Sequence, residues 1–420
     1  MVLSLRQELE VIGENSKIAG RKLSKLGTRE KNEILSSIKV SMRDNSKKIL
    51  DANKLDMENG RKINLSEGLL DRLYLNDDRI ESMVLSIDTI IELEDPIGEI
   101  ENMKTLENGL MLGKKSVPIG VIAIIYEARP NVTLDASILG LKSSNTIILR
   151  GGKEAFNSNK AIADAIREGI KNSGNDENMV TLIEDTSRES STELMKLKGY
   201  IDLLIPRGSA SLINTVVENA KVPTLETGVG NCHIYVDKSA KIDMALNIIE
   251  NAKTTRVGVC NAMESLLVHE SVSDEFYSGL KTIIDKYSLT VYGDERSRKK
   301  IENLKVATEE EYAREYLDYA MSMKIVDGIE EAIDHIYKYS TGHSDVIITE
   351  DYNNAMKFLN EVDSACVYVN ASSRYTDGAE FGKGAEMGIS TQKLHARGPI
   401  GLRELTSTKY VILGSGQIRK

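Results

Sequence analysis

The residue best suited to covalent chemistry is Cys260, one of three cysteines in a chain of 420 residues. It lies in the stretch Arg256-Val-Gly-Val-Cys-Asn-Ala262, two residues after Gly258. A cysteine thiolate attacks a carbonyl or an acyl phosphate and then carries the acyl group as a thioester. A nearby glycine lets a substrate approach the backbone without meeting a side chain. The alternative is a buried structural cysteine beside a turn, and the rest of the chain has to distinguish the two.

The composition indicates a folded protein, because 41% of the residues are hydrophobic. A chain of 420 residues is too long for one compact core, so we expect two domains. The net charge of −10 argues against general nucleic-acid binding, which needs clustered Lys and Arg. Cys232, Cys260 and Cys366 form no C-x-x-C pair, so we expect neither a disulfide framework nor a zinc site. The histidines show no metal-ligand spacing, and no metal is predicted.

The expected location is the cytoplasm. Charged residues interrupt positions 1–25, so no signal peptide is predicted. The most apolar stretch, 119–126, is too short to cross a bilayer and is typical of a buried strand. Widely spaced cysteines fit a reducing compartment. We therefore expect no membrane partner.

Hydrophobic periodicity predicts helices over 3–60 and 63–93, and Asp95-Pro96 ends the second block. An Asn108-Gly109 turn predicts a hairpin. Strands then alternate with helices, which is typical of parallel sheets with helices on both faces. The first series has strands 119–126, 146–149, 179–183, 201–205 and 233–236, with helices 134–143, 157–172, 190–197 and 209–219. The second series has strands 265–269, 346–349 and 366–369, with helices 239–252, 273–286, 296–304 and 329–337. A last strand, 408–413, is expected to pair with the hairpin or with a partner subunit.

Ligands of parallel sheets bind at the carboxyl ends of the strands, and the loops there contain polar residues. These loops are Glu127-Ala-Arg-Pro-Asn131, Arg150-Gly-Gly-Lys153, Pro206-Arg-Gly-Ser209 and Glu226-Thr-Gly-Val-Gly230. Two of them combine glycine with a cation, which suits a phosphate-bearing ligand, although any one of them could be an ordinary turn. Neither G-x-G-x-x-G nor a Walker motif occurs at the first of these turns.

Several ordered motifs resemble the aldehyde dehydrogenase superfamily and, within it, its glutamyl-phosphate branch. The likeness covers nearly the whole chain. It is carried by Tyr126-Glu-Ala-Arg-Pro-Asn-Val-Thr133, Leu225-Glu-Thr-Gly-Val-Gly-Asn-Cys-His233, Val257-Gly-Val-Cys-Asn-Ala-Met-Glu-Ser265, Glu380-Phe-Gly-Lys-Gly-Ala-Glu-Met-Gly-Ile-Ser-Thr391 and Lys393-Leu-His-Ala-Arg-Gly-Pro399. The resemblance implies an α/β fold with two parallel-sheet domains and a small oligomerisation hairpin and strand. It assigns 1–103 and 119–229 to a cofactor-binding domain, 230–391 to a catalytic domain, and 104–118 and 392–420 to oligomerisation.

The resemblance also implies catalytic roles. Cys260 matches the nucleophile, and Asn131 matches the amide that donates to the oxyanion without adding charge. Asn131 follows Pro130 and could in addition, or instead, cap the next helix. Glu226 matches the general base of the wider family. An enzyme that transfers the acyl group to phosphate must keep water away from the thioester. We therefore expect Glu226 to have a positioning role or to contact the cofactor, and not to activate water.

The cofactor that the resemblance implies is NADP(H). Its expected contacts are Arg150, Gly151, Gly152, Lys153, Gly208, Ser209, Glu226 and Glu315. Lys153 replaces a Glu that faces the ribose in the wider family, which favours NADPH, although a solvated surface lysine is the alternative. In the loop that starts at Gly208, Ile213 replaces a later glycine of the wider family. The residues around Glu315 also depart from the usual motif of that family.

The implied reaction is reduction of L-glutamyl 5-phosphate to L-glutamate 5-semialdehyde and phosphate, through a thioester, in proline biosynthesis from glutamate. Candidate cations for the substrate are Arg129, Arg256, Arg397 and His395. The alternatives are a hydrolytic semialdehyde dehydrogenase and a non-catalytic binding protein of the same fold. We expect a homo-oligomer, which depends on a separate glutamate 5-kinase for its substrate.

Overall fold

The computed structural model describes residues 3–419, and the chain divides into two compact units. Unit 1 comprises Met1–Glu226, Gly382–Gly388 and Ile400–Lys420, and unit 2 comprises Thr227–Phe381 and Ile389–Pro399. The sequence analysis placed the boundary at 229/230 and assigned 382–388 to the second domain. In the structure 382–388 packs with unit 1, because Gly384 lies against Leu93 and the amide of Met387 donates to the carbonyl of Ile400.

The elements of unit 1 begin with five helices and continue as an α/β series. The helices are Leu5–Leu23 (α1), Thr28–Asp44 (α2), Ser46–Lys62 (α3), Glu67–Leu73 (α4), Asp77–Glu92 (α5), Pro130–Lys142 (α6), Phe156–Asn172 (α7), Arg188–Met195 (α8) and Ala210–Asn219 (α9). The strands are Ile100–Thr105 (β1), Met111–Pro118 (β2), Val121–Tyr126 (β3), Thr146–Gly151 (β4), Val180–Leu182 (β5) and Leu203–Arg207 (β6).

The central sheet of unit 1 is parallel, with strand order β5-β4-β3-β6. Alternate residues of β3, such as Val121 and Ala123, share one apolar core with Leu9 of α1, Leu194 of α8 and Val216 of α9. Helices α6 and α7 pack on the strands as well. This alternation, with every residue of β3 buried, is what a parallel sheet with helices on both faces requires.

The elements of unit 2 form a second α/β series. The helices are Ile242–Thr254 (α10), Asp274–Tyr287 (α11), Glu295–Lys300 (α12), Glu309–Ala313 (α13), Ile329–Tyr339 (α14) and Tyr352–Glu361 (α15). The strands are Cys232–Val236 (β7), Met263–His269 (β8), Thr290–Gly293 (β9), Lys305–Val306 (β10), Ala320–Val326 (β11), Ser344–Ile348 (β12), Cys366–Val369 (β13), Ile389–Ser390 (β14) and Gly398–Pro399 (β15).

The main sheet of unit 2 is also parallel, in the order β10-β9-β11-β8-β7-β12-β13. One face packs on α10 and α11, and the other on α14 and α15. The predicted strand 233–236 therefore belongs to this sheet and does not extend the first one, because β7 pairs with β8 and β12.

The last strand, Thr406–Leu413 (β16), pairs antiparallel with β2, which itself pairs with β1. The prediction that the terminal strand joins the early hairpin is confirmed. Within residues 3–419, no helix is long and apolar enough to cross a membrane, and no group of three or more His, Cys, Asp or Glu could hold a metal ion.

Candidate active site

Cys260 lies in a turn between α10 and β8 in unit 2, and its side chain is half-buried. The amide of Ala262 donates to the carbonyl of Val259 at 3.1 Å, which closes the turn around the cysteine. Both flanking elements contribute residues to the apolar core of the unit. A rigid scaffold therefore holds the loop that presents the thiol.

The backbone of Cys260 packs against the loop that precedes β7. A Cβ atom on Gly230 would overlap the Cys260 carbonyl, so only glycine fits there. The thiol of Cys232 donates to the same carbonyl at 3.1 Å. Burial raises the pKa of the Cys232 thiol well above its usual value, which keeps this donor protonated. Cys232 is thus a structural cysteine.

Glu315 holds the same loop. Its carboxylate accepts a hydrogen bond from the amide of Gly230 at 2.7 Å, so the structure gives it a positioning role. A second carboxylate, Glu264, accepts from the amide of Leu317 at 3.2 Å and pairs with Lys253 at 2.6 Å. The segment 315–317 is therefore tied to α10 and β8 by buried polar groups. The expected contact between Glu315 and the nicotinamide ribose stays a prediction.

Asn261 joins the turn 259–262, which contains Cys260 and is called the nucleophile turn below, to the loop 372–376. Its amide nitrogen donates to the carbonyls of Arg374 and Thr376 at 3.2 and 2.9 Å, and the Ser373 hydroxyl donates to the Asn261 carbonyl at 2.7 Å. The Arg374 guanidinium donates to Oδ1 of Asn261. The sequence analysis missed Arg374, because this contact joins positions 113 residues apart and no local signal marks it.

Asn131 lies in the first turn of α6 in unit 1, with an exposed side chain. The helix begins at Pro130, and its N-cap is Arg129, so the suggestion that Asn131 caps the helix is wrong. The Asn131 amide nitrogen instead donates to Oδ2 of Asp135 at 2.9 Å. This bond fixes the direction of the amide, and its role at an oxyanion stays a prediction.

Asp135 is a carboxylate that the sequence analysis did not single out. Burial raises the pKa of Asp135 to about 6, although the hydrogen bond from Asn131 and the charge of Arg207 oppose that shift. A signal was available, because residues four apart on a helix face the same side.

Arg150 is 8% exposed, and its guanidinium is used within the fold. Nη2 donates to the carbonyls of Thr186 and Ser187 at 2.8 and 2.6 Å, and Nη1 donates to that of Gly151 at 3.3 Å. Burial lowers the pKa of Arg150. The structure thus gives Arg150 the role of holding the loop after β5, and its expected contact with the adenosine ribose stays a prediction.

The N-terminus of α9 already holds a carboxylate. The Ser209 amide donates to Oε2 of Glu127 at 2.8 Å, and its hydroxyl donates to Oε1 at 3.3 Å. A Cβ atom on Gly208 would lie 2.5 Å from the same carboxylate. A cofactor phosphate would have to displace Glu127 from these donors, and the expected contact at Gly208 and Ser209 stays a prediction.

Gly151 is the last residue of β4, and Gly152 lies between it and Lys153. A Cβ atom on either glycine would overlap a neighbouring side chain, Asn159 or Glu154 respectively. Glu154 in turn accepts from the amide of Ala128 at 2.8 Å, where the backbone has a φ of 34°. These glycines let two loops at the carboxyl end of the sheet pack closely.

Two cations at this end of the unit 1 sheet suit an anionic cofactor. Lys153 follows β4 and is exposed. Arg207 ends β6, and its Nε is buried without a hydrogen-bond partner among the described residues. A buried guanidinium nitrogen that lacks an acceptor is complementary to a phosphate oxygen. The residues present therefore fit a phosphorylated dinucleotide, and Arg207 is a candidate that the sequence analysis did not single out.

Of the expected substrate cations, Arg397 is already paired. Its Nη1 donates to Oδ1 of Asp363 at 2.8 Å, and its Nη2 donates to the Asp363 carbonyl at 2.6 Å. The structure thus gives Arg397 a structural partner in unit 2. Arg256 is exposed just after α10, and among the described residues it has no hydrogen bond or ion pair.

The remaining expected residues lie in loops. Arg129 precedes α6 in unit 1, and His395 is exposed between β14 and β15, with a φ of 70°. Glu226 is half-buried and is the last residue of the main segment of unit 1. Their functional roles stay predictions.

Comparison with known proteins identifies the group to which the chain belongs. The sequence profile of the aldehyde dehydrogenase family matches residues 5–301. Gamma-glutamyl phosphate reductase of Clostridium novyi is 54% identical over 404 residues, which cover 96% of this chain and 97% of that protein. The crystal structure of gamma-glutamyl phosphate reductase from Thermotoga maritima aligns with a TM-score of 0.94 at 49% identity, and covers 97% of this chain and 99% of that one.

A more distant structure, an acetylating aldehyde dehydrogenase from Geobacillus thermoglucosidasius, shares the fold with a TM-score of 0.72 at 19% identity, covering 99% of this chain and 98% of that one. The match to the family profile covers more than half of the chain, and the bacterial relatives match it almost from end to end. The chain therefore belongs to the aldehyde dehydrogenase family and, within it, to the gamma-glutamyl phosphate reductases.

Proposed function

We propose that this protein catalyses NADPH-dependent reduction of L-glutamyl 5-phosphate to L-glutamate 5-semialdehyde and phosphate, in proline biosynthesis from glutamate. The observation that carries the proposal is a half-buried cysteine in a turn that Cys232, Ser373 and Arg374 hold by hydrogen bonds, in a chain 54% identical to a gamma-glutamyl phosphate reductase. The protein is an oxidoreductase of the aldehyde dehydrogenase family, and the cofactor of that family is a nicotinamide dinucleotide.

Cys260 is the nucleophile. Its thiolate attacks the acyl carbon of the substrate, the bond to the phosphate oxygen breaks, and a thioester forms. Gly230 and Cys232 contact the Cys260 carbonyl, and Glu315 accepts from the Gly230 amide, which supports attack from a fixed position. The Asn131 amide supplies a donor for the oxyanion, and its bond to Asp135 sets the direction of that donor.

NADPH, when bound, supplies the hydride that reduces the thioester carbon. Lys153 and Arg207 are the residues of unit 1 that suit its phosphate groups, because both are cations at the carboxyl end of the parallel sheet. An arginine and a lysine there favour a cofactor with an extra 2′-phosphate.

Two alternatives are less well supported. A hydrolytic semialdehyde dehydrogenase would use Glu226 as a base to activate water, and a non-catalytic protein would have no need of a braced cysteine. The names of the relatives favour the reductase over both. In the reductase, Glu226 then has a positioning role or contacts the cofactor, and it does not activate water.

The assembly that we propose is a homo-oligomer formed through the three-stranded sheet β1-β2-β16. Its support is the pair of exposed apolar side chains on one face of β16, Tyr410 and Ile412. The labile acyl phosphate also has to be made by a separate kinase that phosphorylates glutamate.

The proposal is tested by running the reaction backwards. Glutamate 5-semialdehyde and NADP⁺ are mixed with the protein, and absorbance of the reduced nicotinamide is followed with and without inorganic phosphate. We expect steady turnover only with phosphate. Steady turnover without phosphate would indicate the hydrolytic dehydrogenase, and no reduction at all would indicate the binding protein.

A further inference from the structure

Arg374 bonds to the nucleophile turn although the two are far apart in the sequence. Its guanidinium and its carbonyl both bond to the side chain of Asn261, the residue after Cys260. The hydroxyl of Ser373 adds a third bond to the Asn261 backbone. The position of Arg374 is thus fixed with respect to the nucleophile by bonds within unit 2.

The guanidinium of Arg374 has unused capacity. Its Nε is buried and has no hydrogen-bond partner among residues 3–419. A guanidinium presents five donors in a planar fork, and a buried donor without an acceptor is costly. The acceptor that Asn261 provides occupies Nη1, which leaves the Nε side of the fork available for a ligand.

A second cation, Arg256, lies four residues before Cys260 in the sequence. Burial lowers the pKa of Arg374, and the positive charge of Arg256 acts in the same direction. Asp377 and the cysteines Cys260 and Cys232 oppose that shift. Arg256 has no ion-pair partner among the described residues. Neither arginine forms an ion pair with a carboxylate among the described residues. A bound anion would therefore offset the repulsion between their positive charges.

We propose that Arg374 and Arg256 bind the phosphoryl group of the acyl phosphate, and inorganic phosphate in the reverse reaction. This inference rests on the proposed function. It replaces Arg397, which is paired with Asp363, as the cation for the substrate in unit 2.

The position of Arg374 distinguishes the phosphoryl group from the other anion of the substrate. The phosphoryl oxygen is bonded to the carbon that the thiolate attacks, whereas the α-carboxylate lies at the opposite end of the substrate. A cation fixed to the residue next to Cys260 is suited to the group at the reacting carbon. Arginine also binds phosphate through two parallel N–H donors, which the Nε side of the fork provides.

In the reverse reaction, an oxygen of inorganic phosphate attacks the thioester carbon. The new carbon–oxygen bond forms, the carbon–sulfur bond breaks, and its electron pair returns to Cys260 as thiolate. The arginines hold the phosphate for this attack and take no part in the earlier hydride transfer. Their loss is therefore expected to affect one half-reaction and spare the other.

The test uses Arg374→Gln, Arg374→Lys and Arg256→Gln, with Arg298→Gln as a control on the exposed α12. Steady-state rates are measured with NADP⁺ while phosphate and semialdehyde are varied separately. We expect KM for phosphate to rise about 10-fold to 100-fold in the glutamine variants, as for the loss of a charged hydrogen bond. KM for semialdehyde and the phosphate-free burst of NADPH should match wild type, and Arg298→Gln should be unchanged.

Each other outcome overturns the proposal. A raised KM for semialdehyde with an unchanged KM for phosphate would assign the arginines to the α-carboxylate. Loss of the NADPH burst in an Arg374 variant that melts at the wild-type temperature would show that Arg374 acts on Cys260 and not on phosphate. Arg256→Gln, at an exposed site, keeps the test valid if Arg374→Gln fails to fold. Wild-type turnover that ignores phosphate would instead refute the proposed function.

Discussion

The hydrogen bond between Asn131 and Asp135 links a predicted oxyanion donor to a group that titrates. Burial raises the pKa of Asp135 to about 6, so this side chain is a carboxylate above that pH and a neutral acid below it. A carboxylate is the stronger acceptor for the Asn131 amide. Orientation of the amide is therefore expected to weaken as the pH falls through about 6.

The variant Asp135→Asn tests this orientation. We expect kcat/KM to fall by about one order of magnitude at pH 8, which corresponds to the ~1.5 kcal/mol of a hydrogen bond to a charged group. The decline of wild-type kcat/KM below pH ~6 should be absent from the variant. The pH profile is measured with both proteins, and parallel profiles would show that Asp135 has no part in orienting Asn131.

At the scale of single residues, the sequence predicted a cysteine flanked by glycine but not the groups that hold it. Gly230, Glu315 and Arg374 all contact the nucleophile turn or its neighbours from distant parts of unit 2. The sequence also did not show that Arg150, a cation at the end of a strand, bonds to backbone carbonyls of the fold. Residue types showed which chemistry was available, and only the fold showed which donors were already occupied.

Elements are joined in unit 2 by a buried ion pair between Lys253 of α10 and Glu264 of β8, with both side chains fully buried. Burial raises the pKa of Glu264 to about 7 and lowers that of Lys253. Each charge therefore depends on its partner, and removal of one side leaves the other uncompensated.

Lys253→Met is expected to lower the free energy of unfolding by about 3–5 kcal/mol at pH 8, as for other broken buried pairs. The lone Glu264 then has a folded-state pKa further above its unfolded value. Its protonated form is the stable one in the fold, so the loss should be smaller at pH 6 than at pH 8. Urea unfolding followed by circular dichroism measures both values.

The matched control is Lys253→Met combined with Glu264→Gln, which removes both charges and keeps an acceptor for the amide of Leu317. This double variant should recover much of the stability. Equal stability of single and double variants would mean that the pair does not couple α10 to β8.

Most elements could be predicted from the sequence because their apolar residues are periodic. The exceptions have physical reasons. The block 63–93 divides into α4 and α5, since Asn76 accepts from the amide of Arg79 and caps a new helix. Helix α15 was missed because Phe358 is its only residue that is buried among those described. Strand β11 was missed because Ser322, which interrupts its apolar run, is buried against Ser265.

At the scale of the whole molecule, the sheet β1-β2-β16 brings the end of the chain back to the early hairpin. Tyr410 and Ile412, which share one face of β16, are 67% and 57% exposed. Apolar side chains on a sheet with open edges favour contact with another copy. The mass in solution is therefore expected to be that of an oligomer.

Ile412→Lys is expected to shift the mass in solution towards the monomer, because it places a charge in the proposed contact. Ser407→Lys is the control, since position 407 is exposed on the opposite face of the same strand. Light scattering after size-exclusion chromatography measures both masses. An unchanged oligomer with Ile412→Lys, or a monomeric wild type, would exclude this face of the sheet as the contact.

The most direct test of the central claim is a mass spectrum of the protein after one turnover. Protein, NADP⁺ and glutamate 5-semialdehyde are mixed without phosphate and quenched in acid, which protonates the α-amine and keeps it from displacing the thioester. We predict one NADPH per active site and an acyl group on the peptide that contains Cys260, with neither in Cys260→Ala. NADPH formed while that peptide stays unmodified would contradict the thioester mechanism.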